Sequence, residues 1–455
     1  MSGGLRTDLY ELNMAASYLR HAMNDTATFS LFVRALPPER GFLVAAGLGA
    51  CLDWLEQFRF DAEELEYLAT VGFDDASLEA FSTLRFTGDV WAVPEGRIVF
   101  AQEPLLEVTA PVAEAQLAET VLLNQITFQT TLASKAARCR LAAADRLDLV
   151  EFGLRRTQGI EAGMAAARVA AMVGFVATSN VEAARRYGLR PSGTMAHSFV
   201  EAFPTEIDAF RTYARDHPRG VTLLVDTYDT STGMANAITV ITELGLGEDA
   251  AVRLDSGDLG ALAHQARRML DAAGLPRVRI LVSGGLDEHD LARLVADGAP
   301  VDAAGVGTRL GVSADAPFLD SAYKLVSFAG RPVMKLSPGK VSLPGAKQVF
   351  RGPSMRDTIG LRDEEPPVGT RPLLEPVMHG GRRVDPVVAT VPAGGPVADI
   401  TAARARFEAD LADLPPGARA LDAPQAVVPG STAALRSTAE RAEAAARRSG
   451  GVPPS

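Results

Sequence analysis

The sequence is poor in cysteine and in lysine. Its two cysteines, Cys51 and Cys139, stand far apart, which excludes a disulfide framework and a thiolate metal centre. Only five lysines (Lys135, Lys324, Lys335, Lys340 and Lys347) serve 455 residues. All lie outside the polar strand ends described below, so a Schiff-base aldolase lacks its nucleophile there. The six histidines show no H-E-x-x-H or paired-ligand spacing, which argues against a zinc hydrolase. With 45 basic against 56 acidic residues the net charge is −11, unsuited to a nucleic-acid binder, although local arginines could hold a small anion. No apolar run is long enough to span a bilayer, and Met1–Tyr10 lacks the apolar core of a signal peptide. The expected compartment is the cytoplasm.

What is present is a chain long enough for two or three domains. Leu9, Leu12, Ala16 and Leu19 predict a first helix with Tyr10 on or before it, where a core tyrosine is the simpler reading. Strands are expected at 28–33 and, between turns, within 86–108. Residues 114–144 contain neither proline nor glycine and predict one long helix or two. The expected domains are 1–145, an N-terminal α/β domain; 146–325, a β/α barrel; 326–428, a C-terminal segment returning to the first domain; and 429–455, a flexible tail. Short strands with turns are expected over 332–351 and a last helix over 402–411.

From Leu147 onward, short apolar runs alternate with amphipathic helices. The runs are 147–152, 175–178, 221–225, 251–254, 279–282 and 302–306, and with a short piece at Gly193–Met195 they number about seven, close to the eight of a β/α barrel. Asp287 is placed to cap a helix that Gly298 stops. In such a barrel the carboxyl ends of the strands form the active face. Those ends carry Phe152-Gly153-Leu154-Arg155, Thr194 and His197, Asp226-Thr227-Tyr228-Asp229, Arg253-Leu254-Asp255-Ser256-Gly257-Asp258, Ser283-Gly284-Gly285 and Gly307-Thr308.

His197 precedes Ser198 and Glu201, whose spacing is that of a capping box, and a helix start of this kind suits a bound or covalent phosphate. Taken alone, the stretch reads first as a packed histidine before an ordinary cap, since capping boxes are common. Glycine turns are usually only turns, and Asp258 is as readily a helix cap as a ligand. Their convergence on one ring is what favours a site for a phosphorylated substrate, served by electrostatic stabilisation and a Mg²⁺ bridge.

Through these motifs, together with Thr7-Asp8-Leu9-Tyr10 and Pro344-Gly345-Ala346-Lys347, the chain resembles the nicotinate phosphoribosyltransferase family. The resemblance implies an α/β fold: an irregular TIM-like β/α barrel plus a second α/β domain built from the N- and C-terminal segments. It implies a homodimer with shared sites, Mg²⁺ as cofactor, and nicotinate, phosphoribosyl pyrophosphate and ATP as substrates. By the same resemblance His197 is phosphorylated from ATP and Asp229 orients it, while Phe152 and Tyr10, the latter from the other subunit, sandwich the pyridine ring. Arg155, Thr194 and Arg253 contact the base or a neighbouring phosphate, Asp255 helps to hold ribose or metal, and Ser283, Gly284, Gly285, Gly307 and Thr308 cradle the 5-phosphate. Ser179 stands where nicotinamide-using relatives carry an aspartate, which implies preference for the acid. Quinolinate phosphoribosyltransferases are less similar. The competing class is a catalytically silent barrel that binds phosphorylated ligands as a sensor or scaffold.

Overall fold

The segment Thr26–Val33 reads T-A-T-F-S-L-F-V and is buried at every position but the first, as suits a β-branched and aromatic strand inside a sheet. In the computed structural model, which describes residues 3–337, 342–384 and 395–449, it is an inner strand of a seven-stranded antiparallel sheet. The order is Arg331–Pro332, Ser321–Phe328, Thr26–Val33, Pro104–Pro111, Asp89–Ala92, Glu375–His379, Arg382–Arg383. Phe29 stacks on Tyr323 with ring centroids 4.8 Å apart, and the buried Tyr323 hydroxyl donates to the Ala115 carbonyl at 2.8 Å, which satisfies its one polar group. The sheet belongs to a unit made of residues 1–134, 318–394 and 405–455. The helix expected at 114–144 is two, Val112–Leu117 and Glu119–Ala143.

A second, four-stranded sheet in this unit runs Arg371–Pro372, Lys347–Arg351, Asp357–Leu361, Gly430–Ser431. It places Glu103, fully buried, beside Asp357. Burial and the neighbouring Asp357 carboxylate push the Glu103 carboxyl well above the ordinary range. Part of the expected turn region at 332–351 lies outside the described residues. The segment from Pro429, read above as a flexible tail, instead carries the strand Gly430–Ser431 and the helix Ala433–Ser449, which buries Leu435, Thr438 and Ala442 on one stripe. Residues 450–455 lie outside the described part. The expected last helix spans Gly395–Asp413.

The other unit comprises residues 135–317 and 395–404. It is built on six parallel strands: β1 Asp148–Glu151, β2 Ala177–Thr178, β3 Val221–Leu224, β4 Ala250–Leu254, β5 Arg279–Val282 and β6 Ala303–Val306. Their order, β2-β1-β6-β5-β4-β3, is that of a ring cut between β2 and β3, and the sheet is a curled half-barrel. The strand expected at Gly193–Met195 does not form, so the strands number six rather than seven; beside β2 the chain makes only an isolated parallel bridge, Thr178 to Pro191. Helices cover the crossovers as anticipated. Asp287 caps Glu288–Ala296 in a capping box with Asp290, and Asp258 caps Leu259–Ala272 by accepting from the Ala261 N–H at 3.1 Å. No helix among the described residues is long and apolar enough to cross a membrane.

Candidate active site

Arg253 lies on β4, and its guanidinium is the hub of the strand ends. Nε donates to Ser283 Oγ at 2.7 Å, Nη1 to Thr194 Oγ1 at 2.8 Å and Nη2 to Asp255 Oδ1 at 2.6 Å. Ser283 in turn donates a short hydrogen bond to the same Asp255 oxygen. Burial pushes the Asp255 carboxyl up, but the Ser283 hydrogen bond and the Arg253 charge outweigh it and hold it below the ordinary carboxylate range. The fixed fork of arginine makes this three-way bridge possible; a lysine could not hold the three directions.

Phe152 follows β1 and is nearly buried, with Arg253 Cζ 5.8 Å from its ring centroid. Its seat depends on Gly305: a Cβ there would come within 2.5 Å of the ring. Behind it Glu151, fully buried, accepts from Thr178 Oγ1 at 2.6 Å and from the Gly153 N–H. Burial raises the Glu151 carboxyl, and these two bonds oppose the rise. Glu151 thereby ties the turn after β1 to the end of β2, where the half-buried Ser179 donates its N–H to the Glu151 carbonyl at 2.8 Å.

His197 is the first residue of a short helix, His197–Glu201, whose N-cap is Ala196 with no side-chain cap bond. The expected Ser198–Glu201 box is therefore not formed, because the helix begins before Ser198. His197 Nδ1 lies 3.2 Å from Thr227 Oγ1, and Nε2 lies 3.9 Å from Asp255 Oδ2. Asp229, expected to orient the imidazole, does something else. Its carboxylate accepts from the Thr232 N–H at 2.8 Å and the Thr232 hydroxyl at 2.7 Å, which caps Thr230–Leu244 and lowers its pKa. The carboxylate facing His197 is that of Asp255.

Gly284 and Gly285 follow β5 with φ of +110° and +71°, and a Cβ on Gly284 would sit 2.0 Å from the Asp255 carbonyl, so this turn requires glycine. Gly307 and the exposed Thr308 follow β6. Arg155 is exposed on a single 3-10 turn, Leu154–Arg156. Tyr10 belongs to the first unit, on the helix Leu9–Arg20, 47% exposed; burial, Glu119 and Glu11 raise its hydroxyl pKa. The structure thus brings together His197, Asp255, Arg253, Thr194, Ser283 and Phe152. Three further groups, Glu151, Thr227 and Asp226, lie in the stretches singled out from the sequence but were given no role there. Asp226 Oδ2 accepts from the Asp255 N–H at 3.0 Å and the Ser256 hydroxyl at 2.7 Å, while its Oδ1 is buried with no hydrogen-bond partner. Its position directly after a β-strand was the available signal.

The fold and these strand ends define an α/β protein that gathers arginine, carboxylate, imidazole and glycine turns at the carboxyl edge of a parallel sheet, the place where such sheets bind phosphorylated ligands. Residues 5–127 match the nicotinate phosphoribosyltransferase (NAPRTase) N-terminal domain and residues 147–337 the nicotinate phosphoribosyltransferase (NAPRTase) family. The chain belongs to the nicotinate phosphoribosyltransferase family. It is 50% identical over 388 residues to nicotinate phosphoribosyltransferase pncB2 of Mycobacterium tuberculosis, covering 84% of this chain and 83% of the relative. It is 34% identical over 499 residues to the Homo sapiens nicotinate phosphoribosyltransferase, covering 92% and 93%. The crystal structure of human nicotinic acid phosphoribosyltransferase superposes with a TM-score of 0.83 at 29% identity, over 96% of this chain and 99% of that one.

Proposed function

We propose that this protein joins nicotinate to phosphoribosyl pyrophosphate, giving nicotinate mononucleotide and pyrophosphate, as a step of NAD salvage. The observation that carries the reading is the Arg253 bridge to Thr194, Ser283 and Asp255 beside Phe152, set in a chain of this family. Phe152 supplies an aromatic face for the pyridine ring, and Arg253 a cation near its carboxylate or a phosphate. The N–H groups of Gly284, Gly285 and Gly307 suit the 5-phosphate. The ring nitrogen attacks the anomeric carbon as pyrophosphate departs, and the protein's part is alignment and charge stabilisation.

The donor set fits Mg²⁺: Asp226 offers a buried oxygen with no other partner, and Asp255 a second carboxylate held in its ionised form. Those two residues would hold the ion, which when bound neutralises charge on the pyrophosphate.

ATP coupling through phospho-His197 belongs to the same reading. A histidine at the start of a helix, 43% exposed and facing Asp255, can take a phosphoryl group on a nitrogen whose opposite partner fixes the tautomer. The reading extends to a TIM-like closure of the ring in solution, to a cytoplasmic homodimer, and to Tyr10 of the partner subunit completing the pyridine stack. The test is nicotinate mononucleotide formation with Mg²⁺, with and without ATP, for the wild type and His197→Ala. ATP stimulation confined to the wild type supports the reading; absence of product under every condition moves the scaffold class to the front.

A further inference from the structure

The first unit contains a cavity of about 480 Å³ that shares no residue with the strand ends; its lining includes Arg97, Arg351, Thr370, Arg371, Asp410 and Asp413. Asp410, 3% exposed, is its hub. It accepts from Arg97 Nη1 at 2.8 Å, Arg351 Nη1 at 3.0 Å, Arg371 Nη2 at 3.5 Å and the Ile98 N–H at 3.0 Å. Arg351 has a second carboxylate of its own, Asp357, engaged by Nε at 3.1 Å and Nη2 at 2.6 Å. Asp413 accepts the Ser354 N–H at 3.1 Å. Arg97 and Arg371 therefore have Asp410 as their shared counter-charge.

A structural ion pair satisfies its donors, and this one leaves donors over. Among the described residues Arg97 Nε is buried with no acceptor, and Arg371, its side chain 46% exposed, makes one long side-chain contact. An unpaired buried N–H on a charged group is costly, so the site is short of an anion. A cation or an apolar ligand would meet the same arginines unfavourably. We propose that this cavity binds a phosphoryl group of a small molecule, gripped by the guanidinium groups of Arg371 and Arg97, as a second ligand site of the protein. Planar forks match phosphate oxygens, and the volume falls in the usual range for small-molecule clefts of about 300–1,000 Å³. Burial and, after it, the neighbouring Arg97 charge also lower the Arg371 pKa.

The experiment is equilibrium dialysis of radiolabelled inorganic phosphate against the full chain as wild type, Arg371→Ala, Arg253→Ala and the double variant, with melting in phosphate-free buffer as the folding control. Arg371→Ala should lose one equivalent of bound phosphate whether or not Arg253 is present. Arg371→Lys, which keeps the charge at an edge strand but loses the fork, should bind about tenfold more weakly. Unlabelled ATP that displaces the label at tenfold lower concentration than phosphate assigns a nucleotide as the ligand; equal potency assigns the free anion. The proposal is overturned if Arg371→Ala binds as many equivalents as its parent in both backgrounds, or if Arg371→Lys binds as its parent does.

Discussion

His197 Nε2 faces Asp255 Oδ2 at 3.9 Å, and the Asp255 carboxylate that receives it is also the end point of the Arg253 and Ser283 hydrogen bonds. The imidazole and the arginine hub thus meet on one carboxylate. Asp255→Asn should reduce ATP stimulation of nicotinate mononucleotide formation by about tenfold or more, since it removes the charge that faces the imidazole and weakens the acceptor shared by Arg253 and Ser283, a loss on the order of 1.4 kcal/mol in the barrier. Asp229→Ala should leave the stimulation in place and lower the melting temperature, as the loss of a helix cap does. The reverse pattern, measured by product assay and melting on the same preparations, would return the orienting role to Asp229.

Gly305 makes room for the Phe152 ring, so Gly305→Ala should displace it. Overpacking of this kind costs about 1–3 kcal/mol. The KM for nicotinate should rise roughly tenfold, with a smaller change in the KM for phosphoribosyl pyrophosphate. Equal rises for both substrates would mean that the ring is not the platform for the base.

Ser179 is half-buried at the end of β2. An aspartate there would place a negative charge beside the substrate carboxylate while offering an acceptor to an amide. Ser179→Asp should cut kcat/KM for nicotinate by ~10–100-fold and raise turnover of nicotinamide, as expected where a site gains or loses a charged partner. Unchanged discrimination in competition assays would remove Ser179 from the specificity determinants.

The Glu103 carboxyl is pushed up by burial and by Asp357. The sign for a carboxyl raised by folding is that its stabilising effect is full below the ordinary glutamate value and is lost as pH rises through the raised folded value. Glu103→Gln keeps an oxygen for the Phe100 N–H, which Glu103 now accepts at 2.8 Å, and offers Asp357 a permanent donor. The variant should match the wild type near pH 4 and be the more stable of the two at pH 8, the gap widening as pH rises. Parallel melting curves across that range would show that Glu103 is ionised in the fold.

Much of the parallel sheet could be read from the sequence because each β-branched run ends in a polar or glycine cluster, as 279–282 ends at Ser283-Gly284-Gly285. Gly193–Met195 could not, since whether three residues become a strand depends on a neighbour to pair with, and none is supplied. Which acid after β3 turns inward was also hidden. Asp226 and Asp229 are chemically alike, and only the Asp-x-x-Thr spacing to Thr232 marks Asp229 as a cap. The Ser198–Glu201 pattern gave the residue types of a box but not the phase of the helix. The tail misled by composition: its alanines and charges look solvated, yet Leu435, Thr438 and Ala442 recur at helical spacing.

The cut in the ring has a mechanical meaning. A strand laced on both sides shifts only by giving up a row of bonds, each worth about 0.5–1.5 kcal/mol net. The chain from Gly193 to Ala196 belongs to no strand, and its side-chain ties to the opposite edge are Thr194 to Arg253 and, one residue on, His197 to Thr227 and to Asp255. A ligand that claims the Arg253 guanidinium removes the first of these. The histidine is then left on its own two contacts, like a latch on two pins, while the bonds between the six strands are untouched.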